Sequence, residues 1–251
     1  MEIKSGECHI WCFESNEVTP DLVNILSKEE KTRYSNYKFI KDKNRFLKSA
    51  SMLRILLSLY TGISLENLLI SRKCNDCDKN HGKPTLINCR EINFSISYSK
   101  NIVVIGIYKN FEIGVDIEWI DYDFPYEEVI QSILTPEELK KHNGMGPNEK
   151  LKNFYFHWTI KESLTKATGQ GLNESFNNIS IEQNTNYEAI EVVNYPGYNN
   201  VFQTITIKSM MFKENYMLSL AVFDSLKTIK FYNENEISEY TKALGYYSHI
   251  T

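Results

Sequence analysis

INFSISYSKNIVVIGIYKNFEIGVDIEW, Ile92 to Trp119, is the stretch that points to the fold class. Three runs rich in β-branched and aromatic residues, Ile92 to Ser97, Ile102 to Tyr108 and Phe111 to Trp119, are separated by short polar breaks, as antiparallel strands are. Lys109-Asn110 predicts a tight turn between the second and third, because asparagine tolerates the left-handed conformation that hairpin turns demand. In the third run Ile113, Val115, Ile117 and Trp119 fall on one face of a strand, and Glu112, Gly114, Asp116 and Glu118 on the other. Two carboxylates on one polar face repel, and a hard divalent cation held through oxygen would relieve the repulsion. The same alternation is also what a half-exposed edge strand requires.

Helices flank these strands. Asp42 to Tyr60 places Phe46, Ala50, Leu53, Leu57 and Tyr60 three and four apart, with Gly62 to end the helix. Before it come a strand from Ile3 to Phe13, a helix start at Thr19-Pro20, and a Ser27/Glu30 capping box opening a short helix that carries Lys28, Lys31 and Arg33. After the strands, Leu134-Thr135-Pro136-Glu137-Glu138 is a second helix start, with Thr135 as cap and Glu138 at its third position.

A longer helix follows, capped by Asn148 and stopped by Gly169. Its segment WTIKESLTKATGQGL, Trp158 to Leu172, puts Ile160, Leu164 and Ala167 on one side and Trp158, Glu162 and Lys166 on the other. Alone, a glutamate four residues before a lysine is an ordinary surface pair worth about 0.3–0.5 kcal/mol. Ile179 to Ile181, Val201 to Ile207 and Tyr216 to Phe223 predict more antiparallel sheet, and the polar stretch from Asn233 a loosely held tail. The order helix-then-strands recurs, so the sequence predicts an α+β fold in two halves, 1–110 and 111–251.

A chain of 251 residues that is 42% hydrophobic and 24% charged can bury a substantial core. Its net charge of -4 excludes a strongly basic nucleic-acid binder. The N-terminus has no apolar h-region, and no run approaches the roughly 20 apolar residues of a membrane span, so the expectation is a cytoplasmic protein with no nucleic-acid or membrane partner. Five cysteines fit reduced thiols better than a disulfide framework. Cys74 and Cys77 form a CxxC pair in the polar loop Ser71 to Lys83, with His81 and Cys89 near. No second pair at zinc-ribbon spacing follows, and two ordinary thiols are the better expectation.

Gly114-Val115-Asp116-Ile117-Glu118, followed by Trp158-Thr159-Ile160-Lys161-Glu162-Ser163-Leu164-Thr165-Lys166, resembles the paired GxDxE and WxxKExxxK signature of the 4′-phosphopantetheinyl transferases. The length and two-part organisation are similar to the larger, surfactin-synthetase-activating type. The resemblance spans about Ser27 to Ser180. It implies magnesium-dependent transfer of the phosphopantetheine arm of coenzyme A to a serine of an acyl or peptidyl carrier protein, as in nonribosomal peptide biosynthesis, releasing 3′,5′-ADP. It further implies a monomer with a pseudo-twofold pair of similar subdomains and the site in the cleft between them. The first would contact the coenzyme's adenosine and phosphates, and the second would carry the metal and catalytic residues.

By the same resemblance Asp116 and Glu118 hold the metal, and Glu162 is a metal ligand, the base for the serine, or both. Lys161 and Lys166 lie along the coenzyme's phosphates, and Lys166 joins Asp116 and Glu162 as a catalytic residue. Glu138, at the end of the family's (F/L)(S/T)xxE pattern, is a further metal ligand or only a helix cap. Arg33, Arg45 and Lys83 fall where the family places cations, and Asn93 to Ser99 is similar to its FN(I/L)SHS strand, bringing Ser97 and Tyr98 to the coenzyme. Tyr98 replaces the family's histidine and donates a neutral hydrogen bond where histidine can donate as a cation. Two other functions compete with transfer: a non-catalytic module binding coenzyme A or a carrier protein, and a metal-dependent phosphoesterase built on Asp116 and Glu118.

Overall fold

In a computed structural model of the chain, the described residues are 1–73, 79, 82–169, 175–183, 190–195 and 204–237. In chain order the helices are α1 (Lys28–Asn36), α2 (Ile40–Thr61), α3 (Ile130–Ile133), α4 (Pro136–Asn143) and α5 (Pro147–Thr168). The strands are β1 (Glu7–Glu14), β2 (Ile70–Ser71), β3 (Thr85–Leu86), β4 (Ile92–Ser99), β5 (Ile102–Lys109), β6 (Ile113–Trp119), β7 (Ser180–Gln183), β8 (Ile190–Asn194), β9 (Thr206–Phe212), β10 (Tyr216–Val222) and β11 (Thr228–Tyr232). The fold is α+β, in two compact units: Met1–Asn110 with the stretch that begins at Lys227, and Phe111–Leu226.

The first unit is a four-stranded sheet in the order β11-β1-β5-β4 with α2 packed on it. Every residue of β5 from Ile102 to Tyr108 is buried, and Phe46, Ala50, Leu53 and Leu57 of α2 are buried in the same core. Gly62 ends α2 at φ 72, a left-handed conformation that costs glycine nothing. Ser27 and Glu30 form the predicted capping box of α1. Thr19-Pro20 opens a short 3-10 helix, Pro20–Ile25, in place of an α-helix.

Two expectations for the chain ends of this unit are corrected. Lys109-Asn110 is not a hairpin turn, although Asn110 does adopt a left-handed φ of 69, because β5 and β6 belong to different sheets. The hairpin lies one connection earlier, at Lys100-Asn101, where Ser99 pairs with Ile102. Residues 227–237 belong to this unit and not to the second half: β11 pairs in parallel with β1, Lys230 bonds Glu7 at 3.0 Å, Glu234 bonds the buried Lys48 at 2.8 Å, and Ile237 is buried. The rest of the tail expected from Asn233 lies outside the described residues.

The second unit is a five-stranded antiparallel sheet in the order β6-β10-β9-β8-β7, with α5 packed across β6 and β10. Ile160, Leu164 and Ala167 of α5 are in the core as predicted. Trp158, expected with Glu162 and Lys166, packs edge-on against Phe124 and Phe154. No helix among the described residues is long and apolar enough to cross a membrane. Cys74, Cys77 and His81 lie outside the described residues.

Candidate active site

The site is built where β6 runs beneath α5. A Cβ at Gly114 would lie 1.8 Å from the Ser163 carbonyl oxygen and 2.5 Å from the Ala167 backbone nitrogen. Only glycine lets these two backbones approach so closely. The face of β6 that carries Gly114, Asp116 and Glu118 is therefore turned to the helix: β6 is the edge strand of its sheet, but Asp116 does not face solvent and Glu118 is half-buried. Asp116 is 2% exposed.

Two residues beyond Gly114 along that face, Asp116 Oδ1 accepts a hydrogen bond from Lys166 Nζ at 2.6 Å. Asp116 is held on a buried strand, whereas the Lys166 side chain keeps 31% of its surface exposed. Burial works against the Lys166 ammonium, but Asp116, then Glu162 and Glu118, outweigh it and hold its pKa above the usual lysine value. Burial pushes the Glu162 carboxyl up; Lys166 opposes that and Asp116 adds to it. The four residues thus share one electrostatic environment, in which three carboxylates face one ammonium.

Asp116 lies opposite Ser219 on β10, whose hydroxyl meets Thr159 Oγ1 at 2.7 Å and donates to Ser209 Oγ at 2.9 Å. This hydroxyl row buttresses the floor of the site.

Lys161 and Glu138 are paired with each other in the interior. Lys161 is 0% exposed; its Nζ donates to the Ile133 carbonyl at 2.7 Å and to Glu138 Oε2 at 2.5 Å. It does not lie on the exposed arc of α5, and no phosphate can reach it without unpacking the core. Glu138 Oε2 also accepts from the Thr135 backbone, completing the predicted capping box, while its Oε1 accepts from the Ile181 backbone at 3.0 Å. With both oxygens engaged at 5% exposure, this carboxylate ties α4, α5 and β7 together, and Lys161 extends the network to α3. His157 Nε2 lies 4.0 Å from Glu138 Oε1, and burial lowers its pKa to about 4.

The candidate cations of the first unit come from several elements: Arg33 from α1, Arg45 from α2, Arg72 just after β2 and Lys83 just before β3. The Arg45 guanidinium lies over the Tyr98 ring, 4.5 Å from its centroid, and donates to Asp42 Oδ1 at 2.5 Å. Arg33 lies 5.2 Å over the Phe46 ring. Arg72, which sequence did not single out, is half-buried, and burial first, then nearby Arg33, lowers its pKa. Two guanidiniums close enough to repel favour a shared anion. Its only signal in the sequence was a cation just after a short apolar run. Lys83 is half-exposed at the start of the segment leading into β3. Ser97 is 5% exposed and, by strand alternation, on the opposite face from Tyr98, so the two are not brought together.

The donors around Lys166 are all carboxylate oxygens, and their excess charge over the ammonium is what a hard divalent cation balances. Asp116, Glu118 and Glu162 therefore fit magnesium chemically. Among the described residues, no three carboxylate, imidazole or thiol groups are drawn together at one ion-sized point.

β6, bearing Asp116 and Glu118, thus lies sealed by Gly114 beneath a helix that bears Glu162 and Lys166. Residues 112–221 match the family model of the 4′-phosphopantetheinyl transferase superfamily. The 4′-phosphopantetheinyl transferase gsp of Aneurinibacillus migulanus is 30% identical over 67% of this chain and 68% of its own. HetI of Nostoc sp., also named a 4′-phosphopantetheinyl transferase, is 25% identical over 68% of this chain and 73% of its own. The chain belongs to the 4′-phosphopantetheinyl transferase superfamily. A holo-(acyl-carrier-protein) synthase structure from Bacillus anthracis is 18% identical and aligns with 45% of this chain and 96% of its own, at a TM-score of 0.39.

Proposed function

We propose that the protein transfers the 4′-phosphopantetheine arm of coenzyme A to a serine of acyl or peptidyl carrier domains, releasing 3′,5′-ADP, with magnesium held by Asp116, Glu118 and Glu162. The observation that carries this reading is the Asp116–Lys166 contact across β6 and α5, with Glu118 and Glu162 near enough to act on the same ammonium. Bound magnesium would neutralise charge on the pyrophosphate oxygens.

The chain's own groups supply the rest. In the transfer a bond forms between the serine Oγ and the phosphorus that bears the pantetheine, the bond from that phosphorus to the departing 3′,5′-ADP oxygen breaks, and the serine proton must go to a base. Glu162, half-buried on the same helix as Lys166, is that base in this reading. Lys166, held protonated, pairs with the phosphate oxygens. Arg33, Arg45, Arg72 and Lys83 take the adenosine phosphates. Tyr98 weakens the case less than its identity implies, because Arg45 over its ring keeps a cation at that place.

Chromatography of the reaction tests this. Release of 3′,5′-ADP should equal the carrier modified and should stop when carrier is omitted. Product formed from coenzyme A alone would point instead to a phosphoesterase, and calorimetric binding of coenzyme A without turnover to a non-catalytic module.

A further inference from the structure

Two lysines of α5 lie against carboxylates, and they are built differently. Lys161 is enclosed, its ammonium shared between a carbonyl and Glu138. Lys166 keeps 31% of its side chain in solvent and reaches Asp116, which is 3% exposed on a strand sealed to the helix at Gly114. In any exchange of partners at this pair the flexible four-carbon stem moves and the aspartate stays. The oxygen that Lys166 grips, Asp116 Oδ1, belongs to a carboxylate that the proposed function assigns to the metal, and Glu118 and Glu162 act on the same ammonium.

From this geometry we infer that the Lys166 ammonium and the divalent cation compete for the Asp116 carboxylate, so that Lys166 sets how tightly the metal is held and is released toward the substrate's phosphates when the metal enters. The inference rests on the metal reading given under the proposed function. Its chemistry is an exchange of ion pairs: a carboxylate–ammonium contact is lost, carboxylate–metal and ammonium–phosphate contacts are gained, and no proton is transferred. An ammonium among three carboxylates also limits their mutual repulsion while the metal is away, keeping the site folded in the form the metal will use.

The test is direct titration with Mn2+ alone, followed by electron paramagnetic resonance, on the full chain and on Lys166→Met, with Asp116→Asn as the site control. Removing the competing charge should tighten Mn2+ binding roughly tenfold, and Asp116→Asn should weaken it strongly. Equal or weaker binding by Lys166→Met, with the control behaving as stated, overturns the competition and leaves the metal site standing. Binding unaffected by Asp116→Asn, or absent from every form, overturns the metal reading and the competition with it.

Should Lys166→Met fail to fold, the wild-type protein gives a second measurement. Amidination of Lys166 by an imidoester, followed by peptide mass spectrometry, should be faster with Mg2+ than without. An unchanged rate contradicts the inference.

Discussion

Gly114 and Ser163 are in backbone contact: a Cβ on the glycine would stand 1.8 Å from the serine carbonyl oxygen. That contact, two residues from Asp116 on the strand and three from Lys166 on the helix, sets the spacing across which the acidic site is assembled. Gly114→Ala must push α5 away from β6. Overpacking of this kind costs about 1–3 kcal/mol, and the displacement should remove transfer activity beyond what the lost stability explains. Urea denaturation alongside activity measured well below the midpoint separates the two. Full activity in a stably folded Gly114→Ala protein would show that the spacing does not matter.

Asp116→Ala should abolish transfer while preserving the fold, because the strand remains sealed at Gly114 and the partly exposed Lys166 can turn to solvent. Circular dichroism and steady-state rates check this together. An active, folded variant would refute the metal role of Asp116.

Lys161 and Glu138 make the opposite kind of pair. Lys161→Met leaves a carboxylate buried without its cation, a change that typically costs about 3–5 kcal/mol. Adding Glu138→Gln removes the stranded charge and should recover much of the loss. Coenzyme A affinity of the double variant, by calorimetry, should match wild type within about threefold. A stable double variant with strongly weakened coenzyme binding would return Lys161 to the phosphates.

His157 supplies an acid sensitivity. Its pKa falls from 6.5 to about 4 on folding, chiefly through burial, with Glu138 opposing and Lys161 and His142 assisting. The folded form thus binds its proton later than the unfolded form as pH falls. The stability this gives is fully present above pH 6.5 and is lost as pH falls toward 4, by about 3 kcal/mol in all. In His157→Gln that part of the pH dependence should disappear, so the gap between the two proteins in urea stability should change by about this amount between pH 7 and pH 4.5. Parallel pH profiles would contradict it.

The α+β class, α2, α5 and the strand carrying Asp116 and Glu118 were legible because each rests on a local period of two or of about 3.6. Lys161 was misread because its role came from the resemblance and not from the helical period. Five residues from Lys166 it lies roughly 140° round the helix, and its inward position is fixed by Glu138 and Ile133, 23 and 28 residues away. Arg72 was missed because Arg33 approaches it from another element. Lys109-Asn110 carries turn chemistry that serves a change of sheet as well as a hairpin. The parallel pairing of β11 with β1 joins opposite ends of the sequence, and no local pattern encodes it.

The most direct test of the account is the intact mass of apo carrier domains, acyl and peptidyl, after incubation with the purified protein, coenzyme A and Mg2+. The account predicts a gain of one phosphopantetheine on the carrier serine, lost in Asp116→Ala and on chelation of the metal. Unchanged masses for carriers that a known transferase modifies under the same conditions would contradict it.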